Sequence, residues 1–540
     1  MLLTKYKVAC AVLTGVMLGF AFPPFPTGIL AAFAFVPLFL LIESTETYGE
    51  ALRYSYLAFL VFNLIVLYWP GGFVHAKDPY LMIAGVLLIL VHPFFFCATI
   101  LGWMYLMRHF GFTTSLWLFP LLWVAFEYLH SLFEIGFPWL TLGNTQTYDL
   151  SLVQFISYTG VYGLSFWLLV MNVLAYILYV KFSTRTWKPS SLKAITLVIG
   201  LLVVYFLPKV YGNSVLQRNK YSSTENQVRI GIVQPNIDPF DKWQSPVHRQ
   251  IGILQQHTYE VSKQNVDLVI WPETAIPFYI IDPQNRSFLT QLKQQVRQLN
   301  VNLLTGIPYR IFYEEGDVIP NSSKVAEDGR RYDSFNSSML LQSSDQKIQI
   351  YSKVLLVPFA ERVPFSEELS FLNAMRWNFG LGGWGIGRDT TVFRFKTRES
   401  REVSFSNLIC YESIYPGFVA NFVRKGAQFL TIITNDSWWG NTSGAYQHLQ
   451  FALLRAVENR RWITRCANGG ISCFIDPFGR ILRPSKLFTQ STIVGEIFPE
   501  SELTFYSQYG DWLPEIALIV CSFFFAAAIG KKLYLKIRTK

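Results

Sequence analysis

The chain has 540 residues, of which 51% are hydrophobic, 16% aromatic and only 15% charged, with a formal net charge of +10. That length normally holds more than one domain, and the apolar excess excludes a purely soluble protein. The basic residues lie beside apolar runs rather than in one stripe, which points to a membrane surface and no nucleic acid.

The apolar runs are unevenly placed. Roughly 20 apolar residues cross a bilayer, and eight runs qualify as candidate spans, at about 6–22, 27–43, 54–70, 80–107, 113–132, 161–180, 194–210 and 512–530. The predicted organisation is therefore a polytopic α-helical membrane domain over 1–210 with seven spans and a globular module over 211–510. A final span with a basic tail occupies 511–540. The first run has the length of a signal peptide, but Ala21–Pro26 offers no small-x-small cleavage pattern and a second apolar run follows at once. With the N-terminus inside, the inner segments carry Lys5, Lys7, Arg53, Arg108, Lys181, Arg185, Lys188, Lys193 and the lysines of the tail, whereas the outer short loops carry only Lys77. That asymmetry predicts cytoplasmic termini and an extracytoplasmic module, which in a bacterium means the inner membrane and the periplasm.

Two features of the membrane part invite a functional reading. Glu127 lies inside the fifth run, where an acid is costly unless paired or wetted; it either takes part in function or neutralises a buried partner. The outer loop Gly136–Asn144 is apolar and carries Trp139, which is expected to anchor at headgroup level or to line a lipid-facing mouth.

In the module, strand and helix patterns alternate. Strands are predicted at Val228–Gln234, Asp267–Trp271, Val301–Gly306, into Cys410, at Phe429–Thr434, and in short runs within 463–475 and 491–496. Ser338–Gln342 and Lys347–Tyr351 read as a hairpin, and helices are expected near 245–264, 285–299, 414–425 and 446–462. Such alternation predicts an α/β layered domain with buried sheets, in which active residues gather at strand ends.

Three strand ends carry chemistry. Cys410 closes the apolar run Phe405–Ile409, and a thiol becomes a nucleophile when a base or cation favours its thiolate. Taken alone it is as readily a core cysteine. Glu273 follows a strand directly, behind Trp271 and Pro272, and Lys353 follows the hairpin. Cys10, Cys97 and Cys521 lie in apolar runs, while Cys466 and Cys473 are placed to pair only in an oxidising compartment. No Cys-x-x-Cys spacing or histidine cluster appears, so neither a metal nor a cofactor is expected.

Together, Trp271-Pro272-Glu273, Lys353 with Pro358, Phe359 and Glu361, Cys410-Tyr411-Glu412, Thr434–Gly440 and Asp476–Gly479 resemble the nitrilase superfamily, whose signature is a Glu–Lys–Cys triad on an αββα sandwich. With spans before the module and one after, the chain is similar to the membrane-fused branch, the apolipoprotein N-acyltransferases. The resemblance implies Cys410 as nucleophile, Glu273 as general base and Lys353 as stabiliser of the tetrahedral intermediate. It implies Glu361 as a supporting acid, Tyr411 and Glu412 as pocket-shaping residues, and Trp243 as a mobile-loop tryptophan beside the site. It further implies a phospholipid acyl donor, a thioester, and a diacylglyceryl apolipoprotein acceptor. The rival enzyme is a membrane-tethered amidase or nitrilase using water as acceptor; a non-catalytic lipid-binding scaffold is the rival from another class.

Overall fold

The computed structural model describes residues 4–74, 79–218, 226–240, 242, 246–344, 347–369 and 383–538. Among them six helices are long and apolar enough to cross a membrane: Tyr48–Val66, Leu81–Phe110, Phe112–Ser131, Val161–Ser183, Leu192–Arg218 and Trp512–Arg538. The 80–107 run is bent at Pro93, where a residue without an N–H interrupts the ladder between Pro79–Val91 and Pro93–Phe110. Of the two remaining expected spans, the first forms the 18-residue helix Thr4–Ala21. The other is shorter, a 3-10 turn at Gly28–Ala32 followed by the helix Val36–Glu43.

Both segments nevertheless run between the same two ends of the bundle. At one end Lys7 Nζ donates to Ser44 O at 3.0 Å and pairs with Glu50 at 2.6 Å. Arg108 donates to Glu46 O at 2.6 Å and Lys531 to His109 O at 3.0 Å, so the basic helix ends are gathered there. At the other end the α/β module is seated, and Gln447 Nε2 donates to the Pro23 carbonyl at 2.9 Å.

The module's strands in chain order are β1 (Val228–Gln234), β2 (Leu268–Ile270), β3 (Asn302–Phe312), β4 (Lys324–Val325), β5 (Arg331–Leu341), β6 (Gln349–Ser352) and β7 (Phe393–Lys396). They continue as β8 (Glu402–Ile409), β9 (Phe429–Thr434), β10 (Ile463–Ala467), β11 (Cys473–Ile475), β12 (Ile481–Leu482) and β13 (Ser491–Ile497). One sheet has the order β13-β1-β2-β3-β5-β4, with β6 paired to β5; the other runs β12-β11-β10-β9-β8-β7. Strands β1, β2 and β3 are parallel to one another, as are β8, β9 and β10.

The period-two alternation of side chains explains the layers. Ile230, Ile232, Leu268, Ile270, Leu304 and Leu340 point inward and join one core with residues of the second sheet such as Leu430 and Ile432. Their neighbours Val269, Leu303, Met339 and Leu341 point outward, against Leu254, Val261, Leu292 and Val296 of the helices Val247–Ser262 and Arg286–Leu299. A strand covered on both faces needs an unbroken apolar run, which Leu268–Ile270 supplies. The helices Pro416–Arg424 and Ser443–Asn459 pack against the second sheet, completing the αββα order. All six cysteines are free thiols; β10 pairs Arg465, not Cys466, with Cys473.

Candidate active site

Glu273, Lys353 and Cys410 arise at the ends of β2, β6 and β8. Lys353 is buried and holds Glu361 through both carboxylate oxygens at 2.9 Å, while Glu273 Oε1 lies 3.7 Å away. Asn336 on β5 donates its amide to Glu273 Oε1 at 2.7 Å and to Glu361 Oε1 at 3.1 Å, so one side chain bridges the two acids. Val357 N fixes the remaining Glu361 oxygen at 2.8 Å.

Burial alone would lower the Lys353 pKa, but the charges of Glu361 and Glu273 outweigh it and the ammonium is held above its ordinary value. Burial raises the Glu273 carboxyl, opposed by Lys353 and assisted by Glu361. Burial and the Glu273 charge together push the Cys410 thiol up, against the pull of Lys353. The burial that raises the Cys410 thiol and the Glu273 carboxyl is thus opposed at both by the Lys353 charge. Cys410 as a residue is half-buried, whereas its thiol lies among buried groups.

Two glycines make this approach possible. A Cβ at Gly306 on β3 would overlap the backbone of Pro272, Glu273 and Thr274, and one at Gly387 would overlap the Ser352 carbonyl just before Lys353. Both positions allow a second strand of chain to lie directly behind a charged side chain. Lys242 adds a second buried ammonium. It donates to Thr274 Oγ1 at 2.8 Å and to the Glu273 carbonyl at 3.2 Å, and burial lowers its pKa to about 7 despite the Glu273 charge.

Glu412 is buried and bonds protein groups on either side of the site. Its Oε1 accepts from Tyr351 Oη at 2.6 Å and Val354 N at 2.7 Å, and its Oε2 from Ile409 N at 2.8 Å. It thus clamps the end of β8 to the segment that follows Lys353, and burial pushes its pKa up to about 7. Tyr411 turns toward the membrane part: its hydroxyl and that of Tyr415 donate to the Gly136 carbonyl at 3.0 and 3.2 Å, and its ring stacks on Phe137. Trp139 is neither a headgroup anchor nor a mouth residue. It is 1% exposed, donates to Gln447 Oε1 at 2.7 Å and packs against Trp69 and Trp439, because an indole with a buried acceptor is better placed at a joint than in lipid headgroups. Glu127 accepts from Trp123 Nε1 at 3.0 Å and Leu142 N at 2.7 Å, which ties the Trp139 loop to its helix. Trp243 lies outside the described residues. Sequence reasoning missed Asn336, Lys242, Gly306 and Gly387; a lone amide, a loop lysine and strand glycines carry no pattern until the chain is folded.

These layers and strand ends define a carbon–nitrogen hydrolase module built onto a helical membrane part: residues 229–502 match the Carbon-nitrogen hydrolase family model. Residues 14–174 match the Apolipoprotein N-acyltransferase N-terminal domain. An apolipoprotein N-acyltransferase of Chlorobaculum tepidum is 37% identical over 94% of this chain and 93% of its own length. Another, from Geobacter metallireducens, is 32% identical over 93% and 91% respectively. The chain belongs to the apolipoprotein N-acyltransferase family. Among solved structures, the nitrilase-superfamily protein Nit3 of Saccharomyces cerevisiae aligns with 54% of this chain and 97% of its own at 17% identity, with a TM-score of 0.37.

Two outcomes test the packing of the site. Lys353→Met strands two buried carboxylates without their cation, and is expected to destabilise the protein by about 3–5 kcal/mol, read as a lowered denaturation midpoint in detergent. Gly306→Ala is expected to displace the Glu273 backbone and slow acyl transfer by about 10²-fold, the scale of a 1 Å misplacement, with the folded population unchanged by size-exclusion chromatography.

Proposed function

We propose that this chain moves a fatty acyl group from a membrane phospholipid, through a thioester on Cys410, to the N-terminal amine of a diacylglyceryl-cysteine apolipoprotein. The observation that carries this reading is the buried Glu273–Lys353–Glu361 cluster whose charges act on the Cys410 thiol, beside the Tyr411 and Tyr415 hydroxyls that bond the membrane loop.

In the first half-reaction Glu273 takes the Cys410 proton as sulfur attacks the ester carbonyl. The oxyanion that forms is stabilised by the Lys353 ammonium and the Tyr411 backbone N–H, groups already in place before charge develops. Collapse breaks the C–O bond, and Glu273 returns its proton to the departing lysophospholipid oxygen. In the second half the neutral amine of the acceptor attacks the thioester and Glu273 accepts an amine proton. Collapse expels the Cys410 sulfur, which regains that proton as the amide is released. The thioester divides a difficult ester-to-amide exchange into two easier steps. Glu361 holds Lys353 and leaves Glu273 free for proton transfer.

Both substrates are lipid-anchored, and a site seated on the bundle end meets them at high effective concentration. The basic helix ends gather opposite the module around Lys7, Arg108 and Lys531, which supports a multi-pass protein of the bacterial inner membrane with cytoplasmic termini and a periplasmic module.

Intact-mass spectrometry of the full chain incubated with phospholipid tests the covalent step. An acyl-sized gain is expected that disappears in Cys410→Ala; no gain in the parent sinks the reading. Adding a diacylated lipopeptide is expected to discharge the adduct onto the peptide, whereas release of free fatty acid with no peptide product favours the water-using hydrolase. The pH dependence follows from Glu273. It acts ionised, and burial raises its pKa above the ordinary carboxyl value, so thioester formation is lost as pH falls through a midpoint above 4.5. That acid limb is expected in the parent rate profile and absent from the residual rate of Glu273→Gln.

A further inference from the structure

The helix Ser443–Asn459 carries two adjacent buried polar side chains that the acyl-transfer scheme does not use. Gln447 faces the membrane part, where its Oε1 accepts from Trp69 Nε1 at 3.1 Å and Trp139 Nε1 at 2.7 Å. His448 faces the nucleophile. Its Nε2 lies 3.2 Å from the Cys410 carbonyl oxygen and 2.9 Å from Ser413 Oγ, and Ser413 Oγ itself donates to that carbonyl at 2.8 Å. The opposite edge of the imidazole is fixed as well. Nδ1 lies 3.0 Å from Asp436 Oδ1 and 3.2 Å from Arg465 Nη2, and Arg465 pairs with Asp436 Oδ2 at 2.6 Å. Thr434 Oγ1 donates to Asp436 Oδ1 at 2.9 Å. The indoles of Trp139 and Trp439 pack on the ring, with centroids 5.6 and 5.9 Å away.

A buried Asp–Arg pair is a poor route to stability, since desolvation offsets much of the attraction. Here both groups meet one edge of an imidazole, at Nδ1, and in the tautomer in which Nδ1 accepts from Arg465 the proton sits on Nε2, the nitrogen that faces the Cys410 carbonyl. That carbonyl belongs to a strained residue: Cys410 has φ 54, a conformation that side chains with a Cβ rarely adopt. Planarity of the peptide bond supplies the functional link. The Cys410 carbonyl and the Tyr411 N–H belong to one rigid trans unit and point in opposite directions. Whatever holds the carbonyl on one side aims the N–H on the other.

We propose that His448, with Ser413, is a positioning residue that holds the Cys410 carbonyl and thereby aims the Tyr411 N–H at the oxyanion of the acyl-transfer steps. This rests on the reading of Cys410 as nucleophile. It assigns His448 an effect on steps that develop an oxyanion and none on direct substitution at carbon by the same sulfur.

The test measures two rates on the full-length protein in detergent micelles: thioester formation from phospholipid by intact mass, and alkylation of Cys410 by iodoacetamide. In His448→Phe thioester formation is expected to fall by about 10²-fold, the scale of losing one oxyanion donor, with alkylation unchanged. His448→Gln, which keeps an N–H donor near the carbonyl, is expected to recover most of the loss. Parent-like thioester formation in His448→Phe overturns the proposal, and so does an equal fall in both rates, which marks a general disturbance of the thiol. Should His448→Phe fail to fold, Ser413→Ala carries the same comparison: a slower thioester step with parent-like alkylation supports the proposal, and parent rates for both overturn it. Cys410→Ala separates the two readings. An adduct persisting there overturns the triad and this proposal together, whereas its loss beside a parent-like His448→Phe leaves the triad standing and overturns only the role of His448.

Discussion

An ammonium buried between two carboxylates governs how the rest of the module is arranged. Lys353 is 1% exposed, and at such depth a lone charge would shed its proton rather than remain ionised. Glu361 at 2.9 Å and Glu273 at 3.7 Å keep it charged, and neither acid is tolerable there without it. The cluster forms only when β2, β5, β6 and the segment after Lys353 reach one place, since these supply Glu273, Asn336, Lys353 and Glu361. Charge pairing and sheet order therefore depend on each other. Burial and the Glu273 charge together push the Cys410 thiol up, against the pull of Lys353.

The seam between module and membrane helices is built from the same material. Gln447 collects two indoles and the Pro23 carbonyl; Glu458 Oε1 accepts from Val161 N at 2.8 Å at the start of a membrane helix; Tyr411 and Tyr415 converge on the Gly136 carbonyl. Buried polar contacts of this kind are directional and favour one arrangement of the two parts. A module that could swing on flexible linkers would expose a thioester to water. Here the module is pinned to the membrane part at Tyr411, the residue next to Cys410.

Some of this was legible before folding. Glu273 and Cys410 each follow an apolar strand and Lys353 follows a hairpin strand, weak signals singly that gained weight as a set matching a known family, and a short strand covered on both faces announces itself as an unbroken apolar run. Glu127 was conspicuous for the cost of an acid in a membrane span, yet that cost could not say whether it served catalysis or a loop. Folding gave one of its oxygens to Trp123 and Leu142, which ties the Trp139 loop to the helix. Trp139 misled for a related reason. An interfacial tryptophan and a buried one have the same local sequence, and only the arrival of Gln447 from 308 residues away distinguishes them. Asn336, Lys242 and Gly306 left no signal, since an amide bridging two acids or a glycine behind a carboxylate is defined by what lies across from it.

Period, run length and the sign of charges beside apolar segments are properties of neighbours in the chain. They were enough to predict a helical membrane part and a layered α/β module; it took the resemblance to a known family to single out the strand ends at Glu273, Lys353 and Cys410. Which groups face one another across sheets is a property of tertiary contact. Only the fold decided that Glu412 is a clamp, that Glu361 and Glu273 share one lysine, and that an imidazole backs the Cys410 carbonyl. The physical reason is that hydrogen bonding and ion pairing act within a few ångströms, and the partners concerned are brought within that range from positions scattered along the chain.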